Sequence, residues 1–303
     1  MIKYRLKGIN MKIEKWLKEN TESLKGKRIA ITGSTGGLGR EICLYLAGLG
    51  AELVLLDRNE ARSEALADTL TEAVWGLKIT RIRIDLEDMD SVKSATERLK
   101  AEAPDVFIHN AGAYSIPRKI CDSGYDNVFQ INFASPYYMI KELLPTLEER
   151  EGRVVVVGSI AHNYSKTDSN DVDFRTRKAA SKVYGNAKRY LMYSILALAK
   201  TTEKVKFSVV HPGITFTNIT AHYPKLIFMI IKHPMKVIFM KPRVAALSIL
   251  RGLFLSCEGE EWIGPRLFDV WGLPKKKKLK TANSAEREYI CKTAEEIYEK
   301  LKQ

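Results

Sequence analysis

The chain has 303 residues, 45% apolar and 28% charged, which suits one large α/β domain and excludes a disordered chain, a collagen-like fibre and a disulfide scaffold. Its 49 basic and 36 acidic residues leave a net charge of +13, which points to nucleic acid, an anionic membrane surface or an acidic ligand. No RRM, zinc-finger or homeodomain signature accompanies that charge, and no stretch reaches the ~20 apolar residues of a spanning helix.

Residues 1–24 read as a basic amphipathic extension, with Ile2, Leu6, Ile9, Ile13, Trp16 and Leu17 near helical spacing. From Arg28 a regular alternation begins. Strand Arg28–Thr32, helix Gly37–Leu49, strand Glu52–Asp57 and helix Glu60–Val74 come first, then strand Lys78–Asp85, helix Asp88–Lys100 and strand Asp105–His109. A long helix over Asn127–Arg150 follows, then strand Arg153–Gly158, a polar loop over 160–176, a helix over about 177–200 and strand Val205–His211. Alternation at this spacing means βαβ units and a doubly wound parallel sheet with helices on both faces. We therefore expect a single α/β domain over 25–274 with extensions at 1–24 and 275–303. Cys43, Cys121, Cys257 and Cys291 lie far apart without CxxC spacing, which fits reduced thiols in a cytoplasmic protein and argues against a metal site.

The first strand runs into Gly33-Ser34-Thr35-Gly36-Gly37-Leu38-Gly39, with Thr32 before it and a helix after it. Glycines at such offsets let the backbone turn tightly and bring a pyrophosphate to the helix N-terminus, where free N–H groups and the dipole favour negative charge. Asp57 ends the second strand 18 residues after Gly39, where an acceptor for ribose hydroxyls belongs. Its carboxylate argues for NAD, because it would repel a 2′-phosphate. Arg58 follows at once and could clamp that phosphate instead, so NADP stays open.

Five motifs then follow in a set order: the glycine turn, Asn110-Ala111-Gly112 after the fourth strand, Ser159 after the fifth, Tyr184-x3-Lys188, and Pro212-Gly213. In this the chain resembles the short-chain dehydrogenases/reductases, over about residues 26–270. The resemblance implies a Rossmann-type fold and hydride transfer with a nicotinamide cofactor. Tyr137/Lys141 and Tyr298/Lys302 repeat the Tyr-x3-Lys spacing, but only Tyr184 follows a strand-end Ser and precedes a Pro-Gly strand. A phenol with a pKa near ~10 is a poor base at neutral pH, and Lys188, one turn further on the same helix face, should lower it. Tyr184 would then exchange the proton, and Ser159 would donate to the oxygen where charge develops. The resemblance further implies that Lys188 holds the nicotinamide ribose and that Asn132, 27 positions before Ser159, completes a proton relay. A helix-bending polar residue is the plainer reading of Asn132. By the same resemblance Asp85 and Leu86 match an adenine-binding pair, and Pro212, Gly213, Ile214 and Thr217 the segment around the nicotinamide amide. His109 stands where the family more often has Asn, and Gly158 where it often has Ser.

The stretch from Gly158 to His162 and Asp171-Val172-Asp173-Phe174 resemble the retinol dehydrogenase-like branch, whose members act on lipophilic alcohols and carbonyls. Arg58 matches an Arg that the branch often carries for NADP. Segment 214–241, rich in Met, Ile and Phe, reads as a substrate lid, an interfacial helix or a subunit contact. The run Lys275-Lys276-Lys277-Lys278 reads as solvated or, with the basic N-terminus, as a contact for an anionic membrane surface. Residues 284–301 read as a packed terminal helix. The expected partners are a small lipophilic substrate and, by resemblance, a second or further copies of the chain as dimer or tetramer. A β-keto acyl reductase and a dinucleotide-binding sensor without turnover are the alternatives.

Overall fold

Strand segments such as Ile29-Ala30-Ile31 and Val154-Val155-Val156 are apolar at every position and wholly buried, as strands covered on both faces must be. The computed structural model describes residues 11–215, 239–279 and 281–303. Helix α1 (Met11–Asn20) precedes β1 (Arg28–Thr32), α2 (Gly37–Gly48), β2 (Glu52–Asp57), α3 (Glu60–Ala73), β3 (Ile79–Arg83), α4 (Met89–Glu102) and β4 (Val106–His109). The long helix α5 enters at Asn127–Phe129, takes a π turn over Gln130–Ala134 and runs on over Ser135–Glu149. Strand β5 (Arg153–Val157), α6 (Ala180–Leu198), β6 (Lys206–Val210), α7 (Pro242–Phe254), β7 (Glu261–Leu267), β8 (Trp271–Lys278) and α8 (Ser284–Lys302) complete the chain.

The sheet order is β3-β2-β1-β4-β5-β6-β7-β8. Strands β1 to β7 are parallel and β8 is antiparallel to β7. The order reverses between β1 and β4, and a crevice for a ligand opens at that point, beyond the carboxyl ends of the strands. Side chains cap several helices as they enter. Asn59 accepts from the Arg62 N–H, Asp88 from those of Asp90 and Ser91, and Asn283 from that of Glu286.

The strands expected from the sequence are present with slightly shorter ends, and the alternation holds through β6. Three elements were not expected: α7, β7 and β8. The lysine run, set apart as part of a C-terminal extension, is the second half of β8, paired with β7 from Glu261↔Lys278 to Gly264↔Lys275. Lys276 pairs with Glu261 and Lys277 with Asp269, so two of the four lysines are partnered within the hairpin. Helix α8 buries Ile290, Ala294, Ile297 and Leu301, as their spacing requires. Helix α1 buries Ile13 and Trp16. Ile2, Leu6, Ile9 and Thr217 lie outside the described residues, as does the lid except for its two ends, which Thr215 and Met240 bridge.

Asp105, at the mouth of β4, joins three strands. Its N–H donates to the Arg28 carbonyl at 2.8 Å and its carbonyl accepts from the Arg153 N–H at 2.9 Å. The carboxylate accepts from the Arg28 N–H at 2.9 Å, from Arg150 at 3.0 Å and from Lys27 at 3.2 Å. Burial raises its pKa, but these donors outweigh burial and hold it below the ordinary range. Its stabilising effect is therefore present above the unfolded pKa and is lost as pH falls through the folded one. Asp105→Asn should cost about 1–3 kcal/mol at neutral pH in urea titrations. The difference from the native chain should narrow below about pH 4.

Candidate active site

The turn between β1 and α2 is folded onto itself. Gly33 has φ +67°, and a Cβ there would stand 3.0 Å from Ala111 Cα. At Gly39 a Cβ would fall 2.2 Å from the Gly33 carbonyl oxygen, so no other residue fits. Gly36 caps α2 without a side-chain hydrogen bond, and the first turn of α2 carries no acid. Its N–H groups face a cleft of about 430 Å³ lined by Gly33, Thr35 and Gly36 to Gly39, together with Asp57, Arg58, Asp85, Leu86 and Asn110 to Gly112. A glycine cradle, an uncapped helix start and elongated walls fit a nicotinamide dinucleotide, with the pyrophosphate at the turn.

Two expected cofactor residues take another part. Ser34 is buried and its hydroxyl donates to Asp57 Oδ2, so it does not line the cleft. Asp57 Oδ2 also accepts from Ser63 Oγ at 3.0 Å. Its Oδ1 accepts from the Thr35 N–H at 3.1 Å and from Thr35 Oγ1 at 3.2 Å. The carboxylate thus has four donors from the protein, three of them on the glycine turn, and holds that turn to β2. Arg58 and Arg62 line the cleft beside it.

Beside Gly112 and Tyr114 of the cleft wall the catalytic candidates come together. Lys188 is 2% exposed and donates to the carbonyl of Val157, the last residue of β5, at 2.9 Å. Its Nζ lies 5.7 Å from the centre of the Tyr184 ring. The Ser159 hydroxyl accepts from the Ala161 N–H at 3.2 Å, and its influence on the Tyr184 phenol is to lower the phenol's pKa. Asn132 sits in the π turn, where Pro136 further on lacks an N–H. Its Nδ2 donates to the Ala113 and Val128 carbonyls, both at 2.8 Å, and its Oδ1 accepts from the Ala113 N–H at 3.3 Å. A Cβ on Gly112 would stand 2.8 Å from Asn132 Oδ1 and 3.6 Å from Lys188 Nζ, so the glycine leaves room for both. Pro212 and Gly213 follow β6 after His211, with Ile214 beyond. Gly213 has φ +83°, and a Cβ there would stand 2.7 Å from the Val270 carbonyl oxygen.

The electrostatics differ from what the spacing suggests. Burial pushes the Tyr184 phenol up to about 12, against the influence of the Ser159 hydroxyl, which lowers it. Burial also holds the Lys188 amine down to about 7. Loss of hydration therefore governs both groups, and Lys188 does not pull the phenol below its ordinary value.

Several residues near the site went unnoticed in the sequence. The Tyr114 ring stands edge-on to Tyr184 with centres 5.3 Å apart. Trp262 lies between His162 and His211, at 5.3 and 5.4 Å. His162 Nδ1 lies 2.5 Å from the Ser159 carbonyl, and burial holds this imidazole down to about 4, hence neutral. Arg189, directly after Lys188, is fully buried. It donates to the His162 carbonyl at 2.9 Å and pairs with Glu286 of α8 at 2.7 and 2.6 Å. Arg62 had a readable signal, one helical turn after Arg58; the other partners are distant in sequence.

Fold and site together define a doubly wound α/β protein with a dinucleotide cleft. The family model described as short chain dehydrogenase matches residues 27–225, and the chain belongs to that family. An uncharacterized oxidoreductase of Schizosaccharomyces pombe is 35% identical over 228 residues, covering 69% of this chain and 66% of that protein. Retinol dehydrogenase 12 of Mus musculus is 29% identical over 202 residues, covering 65% of this chain and 64% of that protein. The matches thus span about two thirds of the length of these relatives. A solved structure of an uncharacterized protein from Mycobacterium paratuberculosis shares the fold, with TM-score 0.72 and 22% identity over 93% of this chain and 96% of that one.

Because the amine of Lys188 titrates at about 7 when folded, the unfolded chain binds more protons between about pH 7 and pH 10. Stability from this group rises with pH across that window. Lys188→Met should therefore be more stable than the native chain at about pH 6, by roughly 1–2 kcal/mol after loss of the bond to Val157. The gain should shrink toward about pH 10, which melts across the pH range would read directly.

Proposed function

We propose that the chain transfers a hydride between NADP and a lipophilic alcohol or carbonyl compound, with Ser159, Tyr184 and Lys188 as the catalytic residues and Asn132 holding the wall beside them. The observation that carries this reading is buried Lys188, tied to the end of β5 with its Nζ 5.7 Å from the centre of the Tyr184 ring, beside a cleft that fits a dinucleotide. When bound, the nicotinamide supplies or accepts the hydride.

Tyr184 is a protonated phenol at neutral pH, so it serves as the acid that delivers a proton to the oxygen of a carbonyl under reduction. In the reverse direction it takes that proton back. Ser159 donates to the same substrate oxygen as negative charge gathers there. Lys188 can take up a proton near neutral pH, and its charge, 5.7 Å from the ring centre, then offsets a developing phenolate. Gly112 and Asn132 keep the amine in place by leaving it space and bracing the adjoining strand end.

The choice of NADP rests on Asp57 and its neighbours. With four donors already on its carboxylate, Asp57 can accept from a ribose hydroxyl only by giving up one of those bonds, three of which hold the glycine turn. Arg58 and Arg62 flank it on the cleft wall and suit a 2′-phosphate. A lipophilic substrate is supported by the similarity to retinol dehydrogenases and by the apolar composition of segment 214–241.

Nicotinamide absorbance with a panel of hydrophobic aldehydes, ketones and alcohols tests the reading. NADPH should support turnover better than NADH, and Tyr184→Phe should lower kcat by roughly 10²- to 10⁴-fold while nucleotide binding persists. Arg58→Leu should raise the KM for NADPH about tenfold or more and leave that for NADH nearly unchanged. Full turnover in Tyr184→Phe would show that another group exchanges the proton.

A further inference from the structure

Of the eight large apolar side chains most exposed among the described residues, four fall within one hairpin: Leu267 at 53%, Phe268 at 85%, Trp271 at 39% and Leu273 at 41%. The others, Met11, Trp75, Ile120 and Tyr164, are scattered through the sequence. Isolated exposed apolar residues are ordinary on soluble proteins, whereas a cluster marks a contact surface. On β8, Trp271, Leu273 and Lys275 alternate as exposed positions, so they share one face of the strand. Arg266 is exposed on β7, next to Leu267 at the tip. An apolar tip is thus backed by cations.

The hairpin is held firmly against the site. Phe268 and Asp269, at φ +50° and +57°, make the turn. The Asp269 carbonyl meets His211 Nε2 at 2.9 Å, and the Asp269 carboxylate pairs with Lys277. Val270 packs on Gly213 so closely that a Cβ on the glycine would stand 2.7 Å from its carbonyl oxygen. Because β7 is parallel to β6, the tip projects from the carboxyl edge of the sheet, the edge that carries Ser159 and the glycine turn.

We infer that the β7–β8 hairpin seats the protein on an anionic lipid surface, with Leu267 and Phe268 entering the interface and Arg266 and Lys275 lying on the head groups. Charge decides between this occupant and a second copy of the chain. Two copies meeting through the hairpin would set their cation rows against each other, and lysines along an edge strand disfavour strand pairing. Head groups of phosphatidylserine type complement the same row, and the chain's net charge of +13 favours approach. Seated in this way, the protein turns the carboxyl edge of its sheet toward the bilayer. Delivery of a lipophilic substrate from the bilayer to Tyr184 is the one part that rests on the reaction proposed above.

Flotation of the full chain with vesicles, without nucleotide or substrate, tests the docking. The native chain should float with phosphatidylcholine vesicles containing about a third phosphatidylserine, stay behind with phosphatidylcholine alone, and detach at high salt. Leu267→Ser with Phe268→Ser, and separately Arg266→Glu with Lys275→Glu, should each lower the bound fraction about tenfold. The replaced side chains are exposed, and unchanged melting would confirm that the variants are folded. The inference is overturned if the native chain does not bind, if both variants bind as it does, or if the variants change self-association and leave vesicle binding intact. No turnover is read, so failure here leaves the hydride-transfer reading standing.

Discussion

A lysine withdrawn from water and tied to the last carbonyl of a central strand sets the terms for everything around it. Lys188 Nζ rests 2.9 Å from the Val157 carbonyl, so α6 must cross β5 at one height. Tyr184, one turn earlier, is thereby held over the strand end where Ser159 begins the next loop. The space beside the amine has to stay clear, and Gly112 keeps it clear. The wall behind that glycine must also hold its shape. Asn132 provides this by binding both the N–H and the carbonyl of Ala113 from within a widened helical turn. Each neighbour follows from keeping a potential cation in a place that opposes its charge.

Much of this was legible in the sequence, for physical reasons that also mark where legibility ends. Parallel strands buried on both faces give unbroken apolar runs, so β1, β2, β4, β5 and β6 are readable without partners. The glycine turn is readable because its conformations exclude side chains. Strand β8 is the opposite case. Trp-Gly-Leu-Pro followed by four lysines has little intrinsic strand preference, and only its pairing with β7 makes it a strand. Asp57 shows a subtler limit. Its position beside the cleft was readable, but the convergence of Ser34, Thr35 and Ser63 on its carboxylate depends on three-dimensional closure. Arg189 could be read only as one more charge on a helix, because its partner Glu286 lies 97 residues away.

The charges fall into two populations with different physics. Those inside are paired or held neutral: Arg189 with Glu286, Asp57 among hydroxyls, His162 and His211 as neutral imidazoles. Those outside keep their hydration and give the chain its net positive field. The lysines of β8 straddle this division, since Lys276 and Lys277 complete the hairpin while Lys275 and Lys278 face outward. A run of identical residues thus serves two ends, divided by which of them meets an acid within the hairpin.

The ion pair between Arg189 and Glu286 also orders events in time. Helix α8 leaves a ribosome after every other described element, and until it docks Arg189 lacks the carboxylate that fixes it beneath the loop of Ser159 and His162. The glycine turn, Asp57 and the strand end at Gly112 are all synthesised well before that moment. A nascent chain therefore assembles the wall of its nucleotide cleft before it can fix the Ser159 loop. A nucleotide bound at that stage would favour the folded form of the first half by mass action, acting as a template for the remainder of the chain.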